Sequence, residues 1–363
     1  MRKSWIAWPE QHEFGATEVH AFCKYARHID QATFSAPIEE LQDIRLDAAG
    51  RLQIDESQLS LLALKQLCHY VAAGLWTYVS DVGGIIRRRG RADSMLSPAL
   101  AIRTLNQSLE LRFLLKDGIR RRHLIKNTAA RTIDGIVGAN YKYLPHIQLY
   151  EAVEDFIVST GAPVQFHSAL LHGRRLAMAF CRKEPLFSYE GQPFYAGYYF
   201  SNSEAGECSV NVAVTIASEA GYGLGQFQRL PHTGKRFTKR LYKKLGAIFG
   251  LYPFNKPDDV EQAVARLSKP LGVVQNGRVD QKRRGALIHC LVFDRKIEGA
   301  VATRIANRLI YGEQQATEAC IPQQSTYYDL WTGLLQCAAE LHLSAREAAA
   351  RTAYALLCGN LVI

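Results

Sequence analysis

A cationic stretch, QRLPHTGKRFTKRLYKKLG at residues 228–246, contains seven Lys or Arg residues and no Asp or Glu. A helix that begins near Lys235 would align these cations in two columns, because residues i, i+4 and i+8 share a helical face. The columns are Lys235, Lys239 and Lys243, and Arg236, Arg240 and Lys244, with Phe237, Leu241, Leu245 and Phe249 on the opposite side. Like charges at this spacing repel by about 0.2–0.5 kcal/mol per pair. We therefore expect the face to bind a polyanion; an ordinary solvated surface is the alternative.

The Gly234–Lys235 pair does not form a nucleotide-binding phosphate loop. Such a loop needs a glycine five positions before Gly234, where Arg229 stands, and a hydroxyl after the lysine, where Arg236 stands. The N-terminus of the predicted helix still offers free backbone N–H groups to a single phosphate, with His232 and Lys235 beside it.

Other cationic clusters extend the same interpretation. Residues 83–131 contain twelve Lys or Arg against three Asp or Glu, and residues 282–284 form another cluster. Each cluster alone is typical of a solvated loop, whereas together they could follow a phosphate backbone. The predicted nucleic-acid-binding residues are Arg229, His232, Lys235, Arg236, Lys239, Arg240, Lys243, Lys244, Arg87, Arg88, Arg89, Arg91, Arg120, Arg121 and Arg122. Aromatic residues such as Tyr141 and Tyr195 could stack on bases, although a place in the core explains them better.

Catalytic motifs are poorly represented. The sequence has no GxSxG, no HExxH and no Cys/His spacing typical of zinc, so we predict neither a metal site nor a cofactor. Glu204 lies in the turn-like segment Ser-Asn-Ser-Glu-Ala-Gly, where it could bind a substrate hydroxyl, but turn chemistry alone explains the segment. An enzyme built around Glu204 and His232 remains an open, unsupported alternative.

The helices and strands that the sequence patterns indicate predict an α+β protein. Helical periodicity indicates helices at 58–73, 98–111, 146–158 and 235–249, and an apolar stripe followed by Ser344–Glu347, a capping box, predicts a helical C-terminal region. Lys116-Asp117-Gly118 suggests a turn between a short apolar strand and a basic strand. Hairpins are expected around residues 172–175 and 201–209. A central, mostly antiparallel sheet at 112–217, flanked by helices, is the predicted fold.

Charge and composition divide the chain into regions. The net charge is +10, and residues 1–60 hold six Lys or Arg against ten Asp or Glu, so the rest carries +14. We expect an acidic N-terminal segment (1–57), an α+β core domain (58–250) and a mainly helical C-terminal region (251–363). Eight scattered cysteines without paired spacing predict reduced thiols in a cytoplasmic protein. No segment is apolar enough to predict a membrane span or a secretion signal.

Three segments occur in an order that resembles a known family. They are RTIDGIVGANYKYLPHIQLYEAVEDF, GYYFSNSEAGECSVNVAVTI and RLPHTGKRF, and they resemble the phage- and plasmid-borne family called domain of unknown function nine hundred and thirty-two over about residues 60–250. The matching motif residues, of unknown role, are Tyr141, Asn202, Ser203, Glu204, Gly206, His232 and Gly234. Family members commonly carry an Arg and a Cys-x-Asn-Gly where this chain has IASEAGYGLGQ. The resemblance implies a mobile genetic element and no established activity.

These observations favour a non-enzymatic nucleic-acid-binding protein of a phage or plasmid, acting in DNA replication or recombination. Backbone contacts with little base readout suggest binding or annealing of single-stranded DNA in preference to duplex. The alternative is an assembly protein of a phage or plasmid, in which the basic helix meets an acidic protein surface. That surface could be residues 1–60 of a neighbouring subunit, in a homo-oligomer.

Overall fold

The computed structural model describes residues 5–85, 96–114, 122–233, 236–249, 251, 257–268, 289, 292, 303, 326–339 and 343–358. Strands and helices are intermixed in the first part of the chain, and six consecutive strands precede the last helices. The strands are β1 Gln11–Phe14, β2 Thr33–Pro37, β3 Gln58–Leu59, β4 Arg122–Asn127, β5 Thr132–Gly138, β6 Gln165–His172, β7 Arg175–Cys181, β8 Phe187–Tyr189, β9 Gln192–Ser203, β10 Val210–Ser218 and β11 Gly221–Leu230. The helices are α1 Val19–Gln31, α2 Leu61–Val71, α3 Leu75–Val82, α4 Pro98–Leu114, α5 His146–Thr160, α6 Phe237–Phe249, α7 Pro257–Leu267, α8 Tyr327–Ala339 and α9 Leu343–Leu357.

The strands form two sheets. The larger has the order β1-β6-β7-β9-β10-β11, with β8 added beside β9, and all of its pairings are antiparallel. The smaller is mixed, with the order β2-β4-β5-β3 and one parallel pairing, β3 with β5. The predicted α+β class and the helical C-terminal region are confirmed, while the strands expected in one sheet are divided between two.

Both faces of β10, in the larger sheet, are buried. Val210, Val212 and Val214 of β10 pack in a core that includes residues of α1, α5 and α6. The opposite face of β10 carries small side chains, among them Asn211, Ala213 and Thr215, and is also buried. Ala213 packs in a core with residues of α8 and α9, so the C-terminal helices cover this face.

The segment IASEAGYGLGQ, residues 216–226, places three glycines on β11. A Cβ atom at Gly223 would overlap the Trp331 ring of α8, and one at Gly225 would lie 2.5 Å from Tyr354 Cζ of α9. Because glycine has no Cβ, these positions admit two aromatic rings against the strand. The segment therefore seats the C-terminal helices on the sheet.

Two local predictions are wrong. The short apolar strand expected just before Lys116 does not form, because Phe113 and Leu114 belong to α4, where Phe113 is buried. Ser344 does not start the last helix as a cap, because α9 already begins at Leu343, and the Glu347 carboxylate instead accepts hydrogen bonds from Arg175, Tyr199 and Ser201 on the larger sheet. In both cases a tertiary contact outweighs a local preference. None of the helices formed by the described residues is long and apolar enough to span a membrane.

The N-terminal 57 residues contribute strands to both sheets. β1 pairs with β6 on the larger sheet, and β2 pairs with β4 on the smaller one. Between them, α1 places Phe22 and Ala26 in the core that also holds α5 and α6. This acidic segment is thus interleaved with the strands that follow it.

Candidate nucleic-acid interface

Helix α6 buries one side and exposes its cations on the other. Leu241, Leu245 and Ile248 are buried, and Phe237 and Phe249 are partly buried against the same core. The predicted apolar stripe is confirmed, and the helix begins two residues after the predicted start. Arg236, Lys239 and Lys243 are exposed, and Arg240 and Lys244 are half-buried.

The cations of α6 form no ion pair within the part of the chain that the structure describes. The ion pairs found there engage other cations: His12, Arg27, Arg45, Lys126, His146, Arg174, Arg175 and Arg346. Arg240 is held by the chain itself, since its Nη1 donates to the Thr233 carbonyl oxygen at 2.9 Å. The neighbouring helix α5 is acidic, yet its Glu151 pairs with Arg27 of α1 at 3.1 Å.

Two further cations adjoin this helix. Arg229 lies exposed near the end of β11, an edge strand of the larger sheet, shortly before α6. Lys142, which sequence reasoning did not select, is exposed and reaches the same loop through the backbone: its N–H donates to the His232 carbonyl oxygen at 2.6 Å. We call Lys142, Arg229, Arg236, Lys239, Arg240, Lys243 and Lys244 the cationic face.

The remaining predicted binding residues stand elsewhere. Arg122 begins β4 of the smaller sheet, and its guanidinium lies 4.1 Å from the ring centre of Tyr70. His232 is buried and does not face solvent. Arg87, Arg88, Arg89, Arg91, Arg120, Arg121, Gly234 and Lys235 lie outside the described residues, as does the 282–284 cluster.

The described motif residues come together as one joint beneath the cationic face. The Tyr141 ring stacks on His232 with ring centres 4.8 Å apart, and its hydroxyl donates to the Ser203 carbonyl oxygen at 2.5 Å. His232 stacks in turn on Phe237, the first residue of α6, at 5.6 Å. Gly206 has a φ of +77°, a left-handed conformation that glycine adopts without strain. The joint positions the start of α6.

Glu204 and Asn202 connect this joint to helix α5. The Glu204 carboxylate accepts from the His146 backbone N–H at 2.7 Å, at the N-terminus of α5, where a negative charge is stabilised by the helix dipole. Asn202 Nδ2 donates to the Leu144 carbonyl oxygen at 2.8 Å. Burial raises the pKa of Glu204, while the charge of Arg174 opposes that rise.

Arg174 joins the two sheets. Its guanidinium donates to Asp134 of β5 at 2.5 Å, to Glu204 at 3.0 Å and to Thr33 of β2 at 2.8 Å. A buried charge is costly unless it is paired and hydrogen-bonded, and here each end of the guanidinium has a partner. The sequence offers no signal for this cluster, because its members come from distant segments.

This geometry gives Glu204 a structural role. The side chain is fully buried, and its two oxygens are engaged by His146 and Arg174. A substrate hydroxyl would have to displace one of those bonds. Among the described residues, no group of three or more His, Cys, Asp or Glu side chains could hold a metal ion.

The chain matches no protein-family model, no curated protein and no solved structure.

Proposed function

We propose that this protein binds nucleic acid without catalysing a reaction, and that its cationic face contacts the phosphates. One observation carries the proposal: α6 exposes a row of Lys and Arg residues with no carboxylate paired to them among the described residues. Phosphate groups would neutralise this row and release bound counterions, which is the main source of sequence-independent affinity.

The free energy gained by burying the apolar side of α6 exceeds the repulsion between its cations. Burying a Leu or Ile side chain stabilises a fold by about 1.5–3 kcal/mol, and α6 buries Leu241, Leu245 and Ile248. Repulsion between pairs such as Lys239 and Lys243 costs only about 0.2–0.5 kcal/mol each. The helix therefore folds although its cations are unpaired. Binding of an anionic partner would remove the free-energy cost of the repulsion between them.

Single-stranded DNA is our proposed ligand, in replication or recombination of a mobile genetic element. Lys and Arg contacts to phosphates carry no base information, so we expect little sequence preference. We also propose a cytoplasmic location, since Cys23, Cys68, Cys181, Cys208 and Cys358 are free thiols and such thiols persist in reducing compartments.

The test is binding of labelled single-stranded and duplex DNA of one sequence, followed by fluorescence anisotropy across a salt series. The variant is Lys239→Gln/Lys243→Gln/Lys244→Gln, which spares Arg240 because that side chain also holds the Thr233 carbonyl. Each lost contact to a single strand removes about 0.7 from the slope of log affinity against log salt, so we expect a slope smaller by about 2.

A matched control removes the same charge elsewhere. Lys24→Gln/Arg103→Gln/Lys183→Gln replaces three exposed cations outside the cationic face. This control should keep nearly the wild-type slope. Equal slopes for the two triple variants, or no binding by the wild type at low salt, would refute the proposal.

The assembly alternative makes the opposite prediction. If α6 meets an acidic protein surface on another copy, light scattering should show an oligomer that the α6 variant dissociates, and the anisotropy of DNA should stay that of the free strand.

A further inference from the structure

A large cleft opens between the two sheets, with a volume of about 1310 Å³. The segment from Trp5 to Glu10 crosses it as a strap. At one end Ala7 exchanges backbone hydrogen bonds with Leu59 and Leu61 beside the smaller sheet, at 2.9 and 3.1 Å. At the other end the Glu10 carbonyl oxygen accepts from the Gly173 N–H of the β6–β7 turn, at 2.8 Å.

Aromatic rings line this cleft. Trp8, in the middle of the strap, is 54% exposed although tryptophan is usually buried. Tyr25 of α1 and Tyr70 of α2 line the cleft as well, and the Tyr70 hydroxyl is held by the Ile136 carbonyl oxygen at 3.2 Å. An exposed indole with tyrosines in the same cleft is suited to stacking on a flat ring.

The charges around the cleft are balanced. The lining holds Arg51 and Lys65 against Glu10 and Glu207, and Arg174 is neutralised by its ion-pair partner Asp134. The cleft thus lacks the excess of cations that a phosphate would need, and it favours a neutral ligand. Amide side chains complete the lining, and Asn127 keeps its Nδ2 group without a partner among the described residues while Oδ1 accepts from Ala130.

The β9–β10 turn lies between this cleft and the residues that precede α6. Gln66 lines the cleft and donates to the Ala205 carbonyl oxygen of that turn at 2.9 Å. On the far side of the turn, Tyr141 bonds to Ser203 and stacks on His232, which precedes α6. A neutral aromatic cleft and a row of cations are therefore joined through a few side chains.

We infer that the cleft between the sheets binds the unpaired bases of a single strand, with Trp8 as the stacking residue. This inference rests on the proposed function and deepens it, since bases inside a duplex are not available for stacking on a protein ring. The cleft exceeds the roughly 300–1,000 Å³ typical of small-molecule pockets, so it has room for more than one uncharged base.

The test compares Trp8→Ala with the wild type on three ligands: single-stranded DNA, an abasic strand with the same number of phosphates, and duplex DNA. Loss of one stacked base should weaken single-strand binding by about 5- to 150-fold. Binding of the abasic strand and of the duplex should not change, and the salt slope should stay constant. Tyr78→Ala, which removes an exposed ring outside the cleft lining, is the matched control and should bind like the wild type.

A second measurement does not depend on the alanine variant being folded. Single-stranded DNA should quench tryptophan fluorescence of the wild type, whereas the abasic strand should not. In Trp8→Phe most of that quenching should disappear, while the affinity is largely kept. Of the other three tryptophans, Trp5 and Trp331 are buried, and Trp76 is half-buried and does not line the cleft.

The outcomes separate the two proposals. Salt-dependent binding that is equal for normal and abasic strands, with no effect of Trp8→Ala, would overturn the base-binding cleft and leave the cationic face intact. Absence of binding to all three ligands would instead refute the proposed function, and the inference with it.

Discussion

Glu204 lies in a hairpin turn, where its residue type suggests contact with a substrate, yet its surroundings assign it to the interior. Its carboxylate lies between the Arg174 guanidinium and the first N–H of α5. Neighbouring residues such as Asn202, Ser203 and His232 are also polar and lie near turns, so their residue types are equally typical of catalysis and of a buried joint. Only their three-dimensional partners distinguish these roles, and the partners favour the joint.

His146 should make stability depend on pH. Burial lowers its pKa well below the ordinary value, so the folded protein keeps it neutral while the unfolded chain protonates it below about pH 6.5. The folded state then binds fewer protons, and the free energy of unfolding should fall as pH drops below that value. One histidine can contribute at most about 1.4 kcal/mol per pH unit.

Urea unfolding at pH 7.5 and pH 5.5 measures this effect. In His146→Gln, the loss of stability between the two values should be smaller than in the wild type. His232 and His167, whose pKa values burial also lowers, act in the same direction and remain in both proteins. The raised pKa of Glu204 acts in the opposite direction and is likewise common to both. Identical pH dependence in the two proteins would contradict the assignment of a neutral buried imidazole.

At the scale of elements, α6 and β11 differ in how well the sequence predicts their packing. The apolar positions of α6 recur at helical spacing, so its buried face could be predicted from the sequence. The alternating glycines of β11 do not predict how the strand packs, because a glycine can occur at a turn, at a bulge or where another group comes close to the backbone. The rings of Trp331 and Tyr354 decide that here they serve close approach.

Two glycine-to-alanine changes should therefore have opposite effects on stability. Gly223→Ala places a Cβ in the space of the Trp331 ring, and overpacking should destabilise the protein by at least about 1–3 kcal/mol. Gly246→Ala lies in α6, where the added Cβ would be 3.7 Å from Phe156 Cζ, an ordinary contact. That change should stabilise by about 0.5–1 kcal/mol, because alanine favours the helix over glycine.

Thermal and urea unfolding of both variants provide the measurement. Trp331 is fully buried, so its fluorescence should additionally report loosening of α8 in Gly223→Ala. If Gly223→Ala left the free energy of unfolding unchanged, α8 would not pack on β11 as described.

At the scale of the whole molecule, contacts between distant parts of the chain hold the layers together. Arg175 on β7 pairs with Glu347 on α9 at 2.8 Å across 172 positions of sequence, and both residues are buried. Tyr199 and Ser201 of β9 donate to the other oxygen of Glu347. This network holds the C-terminal helix on the sheet.

Replacing one member of this network should lower the free energy of unfolding. Glu347→Gln removes the carboxylate that pairs with the buried Arg175 at 2.8 Å, while the Glu207 carboxylate stays at 3.7 Å. Losing one member of a buried pair costs about 3–5 kcal/mol. Arg175→Met should be similarly harmful, whereas the double variant should be less destabilised than the sum of the two single changes. Urea unfolding of the four proteins of this cycle measures the coupling. Additive effects would show that the two side chains do not interact.

The sequence by itself determined the α+β class, helices α2, α4, α5 and α6, the hairpins around residues 172–175 and 201–209, and the amphipathic character of the cationic helix. These features depend on periodicity and turn chemistry, which are properties of neighbouring residues. Tertiary structure alone decided the division into two sheets, the incorporation of the N-terminal segment into both, and the buried partners of Arg174, Glu204 and Glu347. It also decided the cleft crossed by Trp8. Those features depend on which distant segments meet, and each buried charge finds its partner only after the chain has folded.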